Sequence, residues 1–228
     1  MEEILKRLFE AVDLGKINKD SPYPPNLKGM DGSYELTLSA LESGVNPKYI
    51  LENTLIPAMG SVGKKFSENK IYVPQMLMSA KAMAAAMVLL KPFFDSGEII
   101  TKGLFIIGTV SGDLHDIGKN LVSMIIEGAG WQVIDLGVDV SANKFLEAIE
   151  TNNGAVVGLS ALLTTTMENM KETVVVIKRK HPETKVLVGG APVTKEFSNM
   201  IGADFYSPDP HGVVNFLKQI TMINSFLP

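Results

Sequence analysis

The sequence predicts two parts of different class. Residues 1–95 read as a four-helix bundle, and residues 96–228 as an α/β domain with a five-stranded parallel sheet of Rossmann or flavodoxin type. Three observations carry this. In the first part, apolar residues recur at three- and four-residue steps. At Pro92 to Glu98 the helical pattern breaks on Phe93-Phe94-Asp95-Ser96-Gly97-Glu98. From Ile99 onward, short branched apolar runs alternate with helix-like ones.

The elements follow in order. Ile4, Leu5, Leu8 and Val12 share one face of a first helix that ends near Gly15. The stretch Lys19 to Asn26 contains Pro22, Pro24 and Pro25 and reads as a loop. Asp31 is the expected N-cap of a second helix, Tyr34 to Leu41, which Gly44 ends. Pro47 opens a third helix carrying Ile50, Leu51, Leu55, Met59, Val62 and Phe66. A fourth starts near Pro74 with Met76, Leu77, Met83, Met87 and Leu90 on one stripe. In the second part, strands are expected at Leu104–Val110, Gln132–Leu136, Ala155–Ser160, Lys185–Val188 and Asp204–Tyr206. Helices are expected after them, to Gly128, over Ala142–Glu150, Met167–Lys180, Thr194–Met200 and Gly212–Ile223.

Composition narrows the classes of function. The chain has no cysteine, which removes disulfides, thiolate metal sites and a cysteine nucleophile, and fits a cytoplasmic location. Residues 1–95 carry 11 basic and 11 acidic side chains, and the remainder 10 and 14, so neither part offers the basic face of a nucleic-acid binder. The most apolar stretch, Ala82 to Leu90, reads as too short to span a bilayer, and no membrane partner is expected.

The chemistry gathers at three strand ends. After the first strand comes Gly112-Asp113-Leu114-His115-Asp116-Ile117-Gly118, an imidazole on a loop with a carboxylate two residues before it. A carboxylate held against one ring nitrogen fixes the tautomer of a metal-binding histidine, although on its own the pattern also fits a turn with a satisfied histidine. At the third strand end stand Ser160-Ala161-Leu162 and then Leu163-Thr164-Thr165-Thr166, and at the fourth Gly189-Gly190. Glycines there let a bulky group lie against the backbone, and the hydroxyls suit a buried polar ligand. Lys119 and Asn120 read as a solvated face.

Asp-x-His-x-x-Gly, 41 residues, Ser-x-Leu, 26 residues and Gly-Gly, in that order, resemble the signature of cobalamin-binding domains. The first part, with Gly63-Lys64-Lys65-Phe66 and Asn69 to Gln75, resembles the helical cap of methionine synthase and of corrinoid methyl-carrier proteins. The resemblance implies a base-off, histidine-on cobalamin or related corrinoid, with His115 as the axial ligand to cobalt. It further implies that Asp113 accepts from the far side of that ring and Thr166 completes the relay, making His115, Asp113 and Thr166 the catalytic group. Gly118, Ser160, Leu162, Thr164, Gly189 and Gly190 would line the cofactor site, with Tyr72 and Met76 reaching it from the cap. The implied role is a methyl carrier, incomplete alone, serving a substrate-specific methyltransferase, an acceptor methyltransferase and a reductive activator. Methylamines, methanol and aryl methyl ethers (an O-demethylase system) stand as donors. The other readings are a subunit of a cobalamin-dependent mutase and a corrinoid-sensing regulator.

Overall fold

In the computed structural model, residues 2–224 are described. They form two compact units: one from the chain up to Thr101 together with Glu127–Gly130, the other from Lys102–Ile126 and from Trp131 onward.

The helical unit contains α1 (Glu2–Leu14), α2 (Ser33–Glu42), α3 (Pro47–Ile50), α4 (Ile56–Ser67) and α5 (Val73–Asp95). Its interior is built from the apolar stripes, with Leu8, Val12, Ala40, Ile50, Leu55 and Leu90 each fully buried. Three local features depart from the sequence reading. The N-cap of α2 is Gly32, because the Glu35 carboxylate reaches back to accept the Gly32 N–H at 2.9 Å, while Asp31 instead pairs with Arg7 at 3.3 Å. The third helix is not regular: α3 runs through a π turn, Leu51–Leu55, into α4. Pro57 has no N–H to offer and its ring crowds the preceding turn, so that turn widens and Ile56 N–H bonds Leu51 C=O. Finally, α5 carries Pro92 within it and continues to Asp95. At 23 residues it is long and apolar enough, by length and composition, to cross a membrane, contrary to the shorter stretch read from sequence. One face of it, through Met76, Ala80, Met83, Ala86 and Leu90, is buried.

The α/β unit contains β1 (Leu104–Thr109), α6 (Ile117–Gly128), β2 (Gln132–Asp135), α7 (Ala142–Thr151), β3 (Val156–Ser160), α8 (Met167–Lys180), β4 (Val186–Gly189), α9 (Lys195–Ile201), β5 (Phe205–Tyr206) and α10 (Pro210–Asn224). All pairings are parallel, in the order β2-β1-β3-β4-β5. The central strands are buried along their length because helices cover them, which is why they read as continuous apolar runs. Phe145 and Leu146 of α7 and Met170, Val174 and Ile177 of α8 belong to one core with Ile106, Val157 and Leu159. Each such fully buried large side chain contributes roughly 1.5–3 kcal/mol of transfer free energy.

This strand order reverses direction between β1 and β3, and open sheets of this kind take ligands at the carboxyl ends beside that reversal. The register places Thr109 opposite Ser160 and Ser160 opposite Gly189, so the three sequence-flagged strand ends lie in one row. Lys119 corrects the sequence reading. It is 3% exposed, and its ammonium pairs with Asp135 at the end of β2 while donating to Asn120 Oδ1, a bond that ties the start of α6 to the sheet.

Candidate functional site

The site grows from the loop between β1 and α6. Leaving β1, the chain turns at Gly112, whose φ of +79° suits glycine. Two side chains hold that turn from outside: Asp139 Oδ1 accepts from Gly112 N–H at 2.7 Å and from the Ser111 hydroxyl at 3.2 Å, and Asn169 Nδ2 donates to Ser111 C=O at 2.7 Å. Asp139 N–H in turn donates to Asp113 C=O at 3.0 Å. Asp139 itself has φ +52°, a left-handed conformation that aspartate tolerates better than most residues.

Asp113 is fully buried and is the centre of the arrangement. Its Oδ1 accepts from His115 Nδ1 at 2.7 Å and from His115 N–H at 3.1 Å. Its Oδ2 accepts from Leu162 N–H at 2.7 Å, Leu163 N–H at 3.3 Å and the Thr166 hydroxyl at 2.8 Å. Burial pushes this carboxyl up. The Leu162 N–H, the His115 ring and backbone N–H and the Thr166 hydroxyl outweigh it, and together hold Asp113 well below the usual carboxylate range. An ionised acceptor at Nδ1 keeps the proton on that nitrogen, so Nε2 is the ring atom left with a lone pair to give to a metal.

The imidazole is half exposed, at 51% of its side chain. Around it stand apolar side chains that the fold does not bury: Leu114 and Ile117 are each 72% exposed, and Leu162 and Leu163 about as exposed as one another at 41% and 42%. A ring nitrogen with a free lone pair set among exposed apolar side chains suits a broad, flat, largely apolar metal complex better than a hydrated ion. Among the described residues no group of three or more histidine, cysteine, aspartate or glutamate side chains is placed to hold a bare metal.

The glycines divide into two kinds. Gly190 has φ +128°, and a Cβ there would stand 1.8 Å from Ala161 C=O, so the fold itself requires glycine. At Gly118 a Cβ would meet nothing within 4 Å, and at Gly189 only Ser207 C=O at 3.9 Å. The fold would accept a methyl group at these two positions, Gly118 being exposed and Gly189 partly so, and packing within the chain does not require glycine at either. Ser160 lies between buried and exposed at the end of β3, and Thr164 is exposed in the short turn Thr164–Thr166. The residues present fit a corrin: an imidazole nitrogen with a free lone pair stands among exposed apolar side chains.

Of the sequence-flagged residues, His115, Asp113 and Thr166 form one hydrogen-bonded chain, with Leu162 joined to it through its backbone. Gly118, Ser160, Gly189 and Gly190 belong to the same unit. Tyr72 and Met76 belong to the helical unit, where Tyr72 is 66% exposed but Met76 is 1% exposed. Met76, expected at the cofactor, is interior to its own helical unit because it falls on the buried stripe of α5. Thr109, Asp139 and Asn169 were missed. Thr109 had one readable signal, being the hydroxyl at the carboxyl end of an otherwise apolar strand. Asp139 and Asn169 had none, since their partners are 27 and 58 residues away.

A half-exposed imidazole backed by a buried carboxylate stands among exposed apolar side chains at the switch point of a five-stranded parallel sheet, the place where such sheets take ligands. Residues 103–210 match the family model described as a B12 binding domain, and residues 30–91 match a second model of the same description. Dimethylamine corrinoid protein 2 of Methanosarcina mazei is 36% identical over 194 residues, covering 82% of this chain and 91% of that one. Trimethylamine corrinoid protein 1 of the same organism is 36% identical over 188 residues, covering 81% and 87%. Among solved structures, the methanol:cobalamin methyltransferase complex MtaBC of Methanosarcina barkeri is similar with a TM-score of 0.80 and 27% identity, covering 97% of this chain and 80% of that one. The chain belongs to the B12-binding corrinoid protein family, and its cofactor is a corrinoid.

The two kinds of glycine give a testable contrast. Gly189→Ala is expected to unfold at the same urea concentration as wild type yet to take up corrinoid about tenfold more weakly, since its methyl meets no part of the chain closer than 3.9 Å and would crowd a cofactor lying there. Gly190→Ala is expected to lose about 3 kcal/mol of stability before any ligand is added. Urea titration of the apo-protein and corrinoid titration of the folded fraction separate the two. Equal corrinoid affinity in Gly189→Ala and wild type would show that the cofactor does not lie there.

Proposed function

We propose that this protein carries a methyl group between a donor-specific methyltransferase and an acceptor methyltransferase, with a methylamine as the donor, in the cytoplasm. The observation that supports it most is the His115–Asp113–Thr166 chain, whose exposed end is a lone-pair nitrogen and whose buried end is an ionised carboxylate. When bound, the corrinoid supplies a cobalt centre that accepts and gives up a methyl group.

The chain's own residues do the rest. His115 Nε2 would be the nitrogen that holds the corrinoid's cobalt. Asp113 keeps Nδ1 protonated, orients the ring and raises its basicity. Thr166 and the Leu162 and Leu163 N–H groups hold the carboxylate still, so the ring returns to one orientation. Leu114, Ile117 and Leu162 would face the corrin, and Gly118, Ser160, Thr164, Gly189 and Gly190 would lie along the rest of the cofactor. Tyr72 is the helical unit's candidate for contact with the cofactor. A reductive activator restores carriers lost to oxidation.

The methylamine donor is favoured over methanol and aryl methyl ethers because relatives at 36% identity over four-fifths of the chain are named as dimethylamine and trimethylamine corrinoid proteins. The test is transfer to the reduced, corrinoid-loaded protein by methyltransferases specific for each donor, followed by absorbance. Methylation with a methylamine and its methyltransferase is the expected result. Methylation with methanol alone, or with an aryl methyl ether alone, would contradict the donor assignment.

A further inference from the structure

We propose that Thr109 is a positioning residue for the axial ligand, tying the main chain of His115 to the sheet so that the imidazole returns to the same point each time it binds. The inference rests on the reading of His115 as the cobalt ligand.

Thr109 is the last residue of β1 and is fully buried, which is unusual for a hydroxyl in a strand otherwise made of apolar residues and glycine. Its hydroxyl donates to His115 C=O at 2.8 Å, six residues on, closing the loop that carries the ligand. Its backbone is itself fixed: Thr109 N–H donates to Gly137 C=O at 3.0 Å, and Val140 N–H donates to Thr109 C=O at 2.9 Å. The hydroxyl is therefore a stationary point referred to the sheet.

That matters because Asp113 alone cannot place the ring. Asp113 holds the ring and the backbone N–H of His115 but, as an acceptor, makes no bond to its C=O. From the strand, Thr109 holds the far side of the His115 peptide. Removing the hydroxyl frees that peptide to turn, and a ring several bonds out magnifies any rotation of its own main chain. A metal ligand displaced by a fraction of an ångström gives up much of its bond.

The test uses full-length protein grown with histidine labelled by the heavy nitrogen isotope, loaded with cobalt(II) corrinoid and read by electron paramagnetic resonance. The two-line splitting from labelled histidine measures the ratio of histidine-bound to histidine-free cobalt. Thr109→Val keeps the branched shape and loses only the donor. It is expected to lower that ratio about fivefold, the effect of one hydrogen bond, while Thr109→Ser restores it to within about twofold of wild type. Thr109→Ala serves if the valine variant does not fold, with the same fall expected. A wild-type ratio in the valine or alanine variant, whatever its thermal midpoint, would overturn the inference and leave His115 as the ligand. A wild-type spectrum without the two-line pattern would overturn the ligand reading and this inference with it.

Discussion

His115→Ala is expected to fold like wild type and to bind corrinoid about a hundredfold more weakly. The two halves of that result have separate causes. The imidazole is half exposed, so its removal opens no interior cavity. Asp113 keeps its bonds from the Leu162 and Leu163 N–H groups, from Thr166 and from the backbone N–H at position 115, so the buried charge stays satisfied. The thermal midpoint of the apo-protein should therefore move by no more than a few degrees, corresponding to about 0.5 kcal/mol. Affinity should fall because the nitrogen proposed to hold cobalt is gone while the exposed apolar side chains around it remain. Corrinoid titration followed by absorbance measures the loss, and unaltered affinity with an unaltered spectrum would show that the ring does not touch cobalt.

Asp113→Ala is expected to do the opposite, losing about 3–5 kcal/mol of stability. Three backbone N–H groups, a hydroxyl and the ring N–H converge on this carboxylate, and its loss leaves donors unpaired where water has little access. Asp113→Asn keeps the shape but presents one acceptor atom instead of two, and should lose about half as much. The pH dependence follows from the direction of the carboxyl's shift. The folded protein holds it below its ordinary range, so its contribution is complete above the unfolded value of about 4 and disappears as pH falls through the folded value. The gap in stability between wild type and Asp113→Asn should thus be constant from neutral pH down to about 5 and narrow in stronger acid. Urea unfolding at a series of pH values reads this directly. A gap that widens on acidification would mean that the carboxyl is not held ionised by its donors.

Much of the α/β unit was legible because its signals are local. A buried parallel strand announces itself as an unbroken branched run, and Asp113-x-His115 sits where such a strand ends. The pairing of distant motifs was legible only through their order, since Asp113 and Thr166 are 53 residues apart and nothing local joins them. Where the sequence reading departs from the structure, the cause is either a competing local bond or a partner that local spacing does not reveal. Glu35 reached back to Gly32 and displaced Asp31 from the cap. Pro57 widened a turn that the apolar spacing of Leu51 and Leu55 had made look regular. Lys119 reads as a surface residue because its partner, Asp135, lies 16 residues away on β2. Met76 carried the same apolar periodicity whether it faced a ligand or the interior, and the buried face of α5 took it. The bareness of Gly118 and Gly189 could not be told from the obligate glycine at 190 until the neighbouring atoms were known.

The claim on which all of this turns is that the Nε2 atom of His115 bonds cobalt. Its most direct test is the electron paramagnetic resonance spectrum of the cobalt(II) corrinoid protein, taken with histidine of natural isotope and again with heavy-nitrogen histidine. The expected result is a three-line nitrogen splitting that becomes two-line on labelling and vanishes in His115→Ala. A three-line splitting that labelling leaves untouched would place the cofactor's own base on the metal and contradict the account.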